Sequence, residues 1–185
     1  MQQIQTRLTF LRNALFDRKV GAVTMSSKYV VLQVLKHLPK KLDLIIEYGP
    51  GSGVLTRALL TVLSSNGRLV VFEQNKYFVD ELRTIKDHRL HIINTGVEDI
   101  STQELQQFVG ADAFIASIPF SFLAPKERLK IVADAHTLLI SGGSFIIAHQ
   151  YSLLMRELCV QRFRSVSTKF ELRNIFPCFV IGATK

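Results

Sequence analysis

Leu44-Ile45-Ile46-Glu47-Tyr48-Gly49-Pro50-Gly51-Ser52-Gly53 runs from an apolar stretch into three glycines at alternate positions, and Val54–Ser64 follows with helical spacing. A strand that ends in a glycine turn and leads into a helix opens an open α/β sheet, in which ligands bind at the carboxyl ends of the strands. Glycine permits positive φ and a close backbone approach to a ligand. Two common occupants are excluded. Val54 stands where G-x-G-x-x-G needs its last glycine, and no G-K-[ST] follows, so neither the dinucleotide nor the Walker pattern is present. Glu47 also puts negative charge where a pyrophosphate would lie. A nucleoside bearing a cationic amino-acid chain and no phosphate tolerates that carboxylate, and S-adenosylmethionine, with its ammonium and sulfonium, has this character.

Outward from this turn the chain alternates. Arg68–Phe72, Leu90–Ile93, Ala113–Ala116 and Ser144–Ala148 read as buried strands, and Lys76–Ile85, Thr102–Phe108 and Pro125–Leu139 as helices between them. Lys169–Leu172 and Cys178–Ala183 form a closing hairpin. The pattern predicts a Rossmann-like α/β fold: a seven-stranded, mostly parallel sheet with helices on both faces and a C-terminal hairpin. Glu73 ends the second strand twenty residues after Gly53, where an acid accepts hydrogen bonds from ribose hydroxyls, with Gln74 beside it.

The 185 residues predict a single domain, and 48% apolar content is enough for a substantial core. No apolar run approaches a membrane span, and Met1–Asn13 lacks a signal-peptide core, so a cytoplasmic location is expected. Cys159 and Cys178 are the only cysteines, too few for a disulfide framework or a multi-cysteine metal site, and no metal is expected. The net charge of +8 is concentrated: residues 1–41 hold eight Lys and Arg against Asp17 alone. Ile4, Leu8, Leu11 and Leu15 recur there at helical spacing, which predicts a basic amphipathic helix ahead of a catalytic core at 42–185. Such a segment seeks an anionic partner, either a lipid surface or a phosphate backbone, unless it is only a solvated face.

Glu47-Tyr48-Gly49-Pro50-Gly51-Ser52-Gly53 resembles motif I of class I S-adenosylmethionine-dependent methyltransferases. Upstream, Val20-Gly21-Ala22-Val23-Thr24-Met25-Ser26-Ser27 is similar to the V-G-A-hydrophobic-x-P-S-S stretch of bacterial phospholipid N-methyltransferases, with Met25 in place of the proline, and the terminal Arg173-Asn174-Ile175-Phe176-Pro177 fits the same family. The resemblance implies a methyltransferase that converts S-adenosylmethionine to S-adenosylhomocysteine. It implies a cofactor site built from Met25, Ser26, Ser27, Glu47, Tyr48, Gly49, Pro50, Gly51, Ser52, Gly53, Glu73 and Gln74. Related enzymes place an aspartate against the adenine after the third strand. Gly96 stands there in this chain, leaving the backbone of Gly96 and Val97, or the side chain of Glu98, to serve.

Ser117-Ile118-Pro119-Phe120, after the fourth strand, resembles the [N/D/S]-[I/L/P]-P-[Y/F] tetrapeptide of amino-group methyltransferases. Ser117 is expected to serve both cofactor and acceptor. Phe120 is expected to offer a ring to a base or a cation. Adenine N6-dimethylases normally have Asn in the first position. His149 and Tyr151, beyond the fifth strand, are candidates to take the proton of an attacking amine, and His37 and Tyr48 are others. The leading expectation is an enzyme that methylates a phospholipid amine at the inner membrane surface, with the basic N-terminal helix on anionic headgroups. The alternatives are an RNA adenine methyltransferase and a cofactor-binding relative without activity.

Overall fold

The computed structural model describes residues 27–174 and 176–185, except for the side chains of residues 149 and 150. Met25, Ser26 and the expected amphipathic helix lie outside the described residues. The strands are β1 (Leu44–Tyr48), β2 (Arg68–Phe72), β3 (Leu90–Ile93), β4 (Ala111–Ala116), β5 (Leu139–Gln150), β6 (Ser165–Glu171) and β7 (Cys178–Thr184). The helices are α1 (Lys28–Lys36), α2 (Val54–Val62), α3 (Lys76–Leu82), α4 (Thr102–Leu105), α5 (Pro125–Leu138) and α6 (Leu154–Val160), with short 3-10 turns at Gln106–Phe108 and Phe120–Phe122.

The seven strands form one sheet in the order β3-β2-β1-β4-β5-β7-β6. β1 to β5 are parallel, while β7 runs antiparallel to both β5 and β6. The order reverses at β1, which lies between β2 and β4. Crevices at such a reversal bind ligands because the connections on either side leave in opposite directions.

The central strands β1, β2 and β4 are buried on both faces and distribute their side chains alternately between two cores. Ile45, Leu69, Val71 and Ile115 join Val30 and Val34 of α1 and Leu55 and Leu59 of α2 on one face. Ile46, Tyr48, Phe72 and Phe114 join Val132 and Leu138 of α5 and Met155 and Cys159 of α6 on the other. The second core is aromatic: Tyr48 meets Phe72 and Phe114 edge-on at 5.1 and 4.6 Å, and Phe114 meets Phe145 at 5.5 Å. Such edge contacts add about 0.5–1.5 kcal/mol each beyond the area they bury.

Polar groups fix where the elements begin. The buried Asp112 accepts the amides of Asp43 and Leu44 at 2.6 and 2.8 Å, tying the entry of β1 to β4. Arg89 donates to the carbonyls of Leu60, Leu63 and Ser64 at the end of α2, the usual use of a cation at that pole. Ser101 and Glu104 form a capping box on α4. At the start of α1 the Ser27 amide donates to Asn174 Oδ1 at 3.0 Å, and the Arg173 guanidinium lies 4.1 Å from the Tyr29 ring centre while gripping the buried Glu171 with two nitrogens. The β6–β7 turn thereby holds the first turn of the first helix.

The larger departures from the sequence expectation lie after α5. β5 extends from Leu139 to Gln150 rather than over Ser144–Ala148, because Gly142 and Gly143 exchange backbone hydrogen bonds with Lys185 and stay in the ladder. β6 begins at Ser165. Leu154–Val160 is a helix that the strand-helix reading passed over. His37, proposed as a base, is a strut: its ring bonds to the Gln33 carbonyl and to Ser167 Oγ and covers β7, so that a Cβ at Gly182 would lie 2.0 Å from it. Gly182→Ala should therefore destabilise the fold by about 1–3 kcal/mol, typical of overpacking. Thermal melts should show a lowered Tm that His37→Ala in the same chain recovers in part.

Candidate active site

The carboxyl ends of β1, β2, β3 and β4 converge where the strand order reverses. Gly49, Gly51 and Gly53 all have positive φ, at 69°, 54° and 77°. Gly49 has no room for a side chain, since a Cβ there would meet Ile118 Cγ2 at 2.7 Å and the Ser117 carbonyl oxygen at 3.2 Å. Around Gly51 the reverse holds, with no atom within 4 Å of where a Cβ would be. The loop is pressed against the β4 turn at its start and open above Gly51. Glu73 spans beneath it, accepting the Gly51 amide at 3.1 Å and the Asn75 amide at 2.8 Å. Burial raises the Glu73 pKa while those amides and that of Gln74 pull it back. Each carboxylate oxygen keeps lone pairs for a ribose hydroxyl.

Glu47 is fully buried on the α1–α3 face. Thr56 Oγ1 donates to its Oε2 at 2.8 Å, and Oε1 has no hydrogen-bond partner. Burial pushes its pKa up to about 8, against the Thr56 hydrogen bond and with the neighbouring Glu73 charge adding to the rise. An orphaned acid under the first turn of α2 can ionise toward a cationic ligand and gives a phosphate no positive partner. The residues present therefore fit S-adenosylmethionine: Gly49–Gly53 to receive its amino-acid portion, Glu73 its ribose, and the turn after β3 its adenine.

Tyr48 does not offer its ring to this crevice. The ring is 1% exposed in the aromatic core, where burial and the Asp134 charge raise its pKa, so only its backbone reaches the site, through a carbonyl that accepts the Ser117 amide at 2.9 Å. It is no candidate base. Pro50 is buried and Ser52 half-buried in the loop. Ser27 uses its hydroxyl to cap α1 and its amide to hold Asn174. Gln74 is exposed, and its carbonyl accepts from Asn94. After β3, Gly96 is buried, Val97 packs on the aromatic core and Glu98 is exposed. A Cβ at Gly96 would meet Glu98 Oε2 at 3.0 Å and Asp99 Oδ2 at 3.2 Å, so two carboxylates fold back over the place where the family aspartate is missing.

The acceptor turn follows β4. Ser117 is buried and its Oγ has no hydrogen-bond partner, whereas Ile118 and Pro119 are half-buried. Phe120 is 1% exposed and belongs to the core, so it anchors the turn instead of presenting a stacking face as expected. Arg128 fixes the turn from α5, with its Nε donating to the Phe120 carbonyl at 2.8 Å. Tyr151 stands beyond β5, 53% exposed. Sequence reasoning missed Thr56, Asn94, Asp99 and Arg128. Thr56 and Arg128 act across elements that only the fold brings together, while Asp99 was legible as the second acid beside Gly96.

The sequence model of the family described as "Ribosomal RNA adenine dimethylase" matches residues 13–136, from before α1 to the end of α5. The chain belongs to that family. It is 25% identical over 114 residues to ribosomal RNA small subunit methyltransferase A of Blochmanniella pennsylvanica, covering 60% of this chain and 42% of that one. It is 26% identical over 130 residues to mitochondrial dimethyladenosine transferase 2 of Rattus norvegicus, covering 62% and 31%. The chain thus spans less than half the length of these family members. Its fold matches an O-methyltransferase from Bacillus cereus solved with S-adenosylhomocysteine, with a TM-score of 0.70 over 98% of this chain and 91% of that one at 19% identity. The chain has the class I S-adenosylmethionine-dependent methyltransferase fold, as motif I implied. The family match ends before β5, so it takes in the cofactor crevice and the acceptor turn but not the loops after β5 and β6.

The pH dependence of Glu47 follows from its burial. Its folded pKa lies above the unfolded value of 4.5, so the neutral acid is the stabilised form. That contribution is complete below about pH 4.5, is lost progressively up to about pH 8, and is level beyond. The Tm of the unliganded protein should fall over this window relative to Glu47→Gln, which a melt series at stepped pH measures. Glu73→Ala should weaken S-adenosylmethionine binding roughly 10- to 100-fold, the worth of hydrogen bonds to a charged group, as read by calorimetry.

Proposed function

We propose that this chain transfers a methyl group from S-adenosylmethionine to an amine nitrogen at the Ser117–Phe120 turn, and that the amine belongs to a phospholipid headgroup of the phosphatidylethanolamine type. The acceptor choice is carried by Ser117, whose buried hydroxyl has no hydrogen-bond partner at the place where the adenine dimethylases normally have an asparagine amide. An amide suits a planar exocyclic amine. The shorter hydroxyl leaves space for a tetrahedral aliphatic nitrogen and its added methyl groups, and it accepts one N–H.

The cofactor, when bound, supplies a methyl group made electrophilic by its sulfonium. The protein's share is placement. The Ser117 hydroxyl and the carbonyls of the proline turn direct the nitrogen lone pair, and Gly49 keeps the turn against the cofactor loop. As the N–C bond forms, the C–S bond breaks and its electron pair stays on sulfur. An alkylammonium must lose a proton first, and water at the open sheet edge receives it. Orientation of this kind supplies much of the rate of a two-reactant displacement.

The second reading is an adenine amino group of RNA. Family membership and the names of both curated relatives favour it, and the basic N-terminal sequence suits phosphate contacts as well as anionic lipid. The comparisons support this reading more directly than the first. The acceptor side, where Ser117 departs from the family pattern, supports the lipid amine.

Labelled methyl transfer to mixed bacterial phospholipid vesicles, with total RNA in a parallel tube, separates the two. Label in the organic extract is expected. Label in RNA reverses the order, and binding of the cofactor without transfer to either points to another acceptor or an inactive relative. Ser117→Ala should lower kcat roughly tenfold, the worth of one lost hydrogen bond, and leave the Kd for S-adenosylmethionine unchanged.

A further inference from the structure

We propose that the carboxyl edge of the sheet around the acceptor turn docks on an anionic phospholipid bilayer through apolar side chains from three separate loops. This rests on the lipid-amine reading above and assigns a surface to it. The topology brings these loops together: one follows β4, one follows β5, and the third joins β6 to β7, whose antiparallel course returns the chain to the same edge. The first carries Phe122 at 70% exposure, the second Leu153 and Leu154 at 44% and 39%, and the third Leu172 and Phe176 at 67% and 48%. The register brings the last two loops close. Gln150 faces Phe179, which in turn faces Phe170, so residue 151 and Leu172 lie just past one row of neighbouring strands, about 10 Å apart. Tyr151, 53% exposed, adds to the second loop, and the remaining exposed large apolar side chains lie singly on helices, on β6 or at the opposite edge, where scattered examples need no partner.

Charge and chemistry select the occupant. Lys126, Arg156 and Arg173 are exposed on the same loops or on the helix starts beside them. Glu127, which caps α5 by accepting the Ala124 amide, Glu157, and Glu171, which pairs with Arg173, balance these cations among the described residues, so the positive surplus comes from the sequence that precedes them. Residues 1–26, with Arg7, Arg12, Arg18 and Lys19 against Asp17, join the fold at Ser27, whose amide is bonded to Asn174 in the β6–β7 turn. The sequence that carries the surplus positive charge therefore continues into a residue held at this edge. Single-stranded RNA is held by aromatic rings stacked on its bases, whereas three of the six exposed apolar side chains here, counting Tyr151, are leucines, which suit the acyl and glycerol region of a bilayer, where aromatic rings sit as well. A lipid amine could then enter the Ser117–Phe120 turn without its chains leaving the membrane.

The test is flotation of the full chain with phosphatidylglycerol–phosphatidylethanolamine vesicles, in the absence of S-adenosylmethionine. Leu154→Asp with Leu172→Asp is compared with wild type, and calorimetric cofactor binding reports the fold. The double variant should lose roughly tenfold or more of its vesicle partitioning, as expected for withdrawing leucines from an apolar medium, with the cofactor Kd unchanged. Added salt should weaken wild-type partitioning. Vesicle binding that survives the double variant overturns the proposal, because residues 1–26 would then suffice. Wild type that floats with no vesicles but retains RNA overturns it in favour of nucleic acid. Wild type that floats and loses affinity in the variant, yet transfers no label to phospholipid, upholds the docking surface and removes the lipid-amine reading.

Discussion

The contact between Gly49 and the Ser117–Ile118 backbone is the constraint on which the site depends. The glycine loop after β1 and the turn after β4 come from neighbouring parallel strands, so their backbones leave the sheet side by side. With a side chain at Gly49 the two would be pushed apart, since Ile118 and the Ser117 carbonyl occupy its place. The cofactor loop and the acceptor turn are thus one rigid unit, braced below by the Tyr48 carbonyl on the Ser117 amide and at the side by Arg128. Methyl transfer needs donor carbon and acceptor nitrogen in line, and a rigid coupling of their supports provides this without a closing motion.

Much of the fold was legible because buried parallel strands write themselves as apolar runs and glycine turns mark their ends. Motif I, Glu73 and the Ser117 turn lie directly after strands, so their place at the carboxyl edge followed from the alternation alone. Side-chain direction was less accessible. Tyr48 and Glu47 are neighbours on one strand, yet one enters the aromatic core and the other the opposite face, a distinction of one residue in register. Phe120 in a turn reads as available but is buried, because Arg128 draws its carbonyl toward α5. His37 looks like a free histidine until β7, more than 140 residues later, is laid beneath it. Leu154–Val160 escaped notice because seven residues carry too short a period to separate a helix from a loop.

The two halves of the edge have different characters. Glu73, Glu98 and Asp99 give the β1–β3 side its acids, with the buried Glu47 carboxyl behind them. The β4–β6 side is lined by large apolar side chains. Family resemblance covers the first half and reaches into the second only as far as the Ser117 turn and α5. One scaffold serves many acceptors because such loops can change while the cofactor crevice stays constant.

The clamp of Asn174 on Ser27 and of Arg173 on Tyr29 also bears on how the chain is made. Its partners are separated by about 145 residues, and α1 packs against β5 and β7. During synthesis α1 emerges with the glycine loop and α2 close behind, well before β5 and β7, which complete the burial of Val30 and Val34. Part of the apolar face of α1 therefore stays uncovered until those strands follow. Contacts of such long sequence separation are slow to close. The β6–β7 hairpin is in this sense a latch of folding: until it pairs with β5, that side of the sheet has no fixed border.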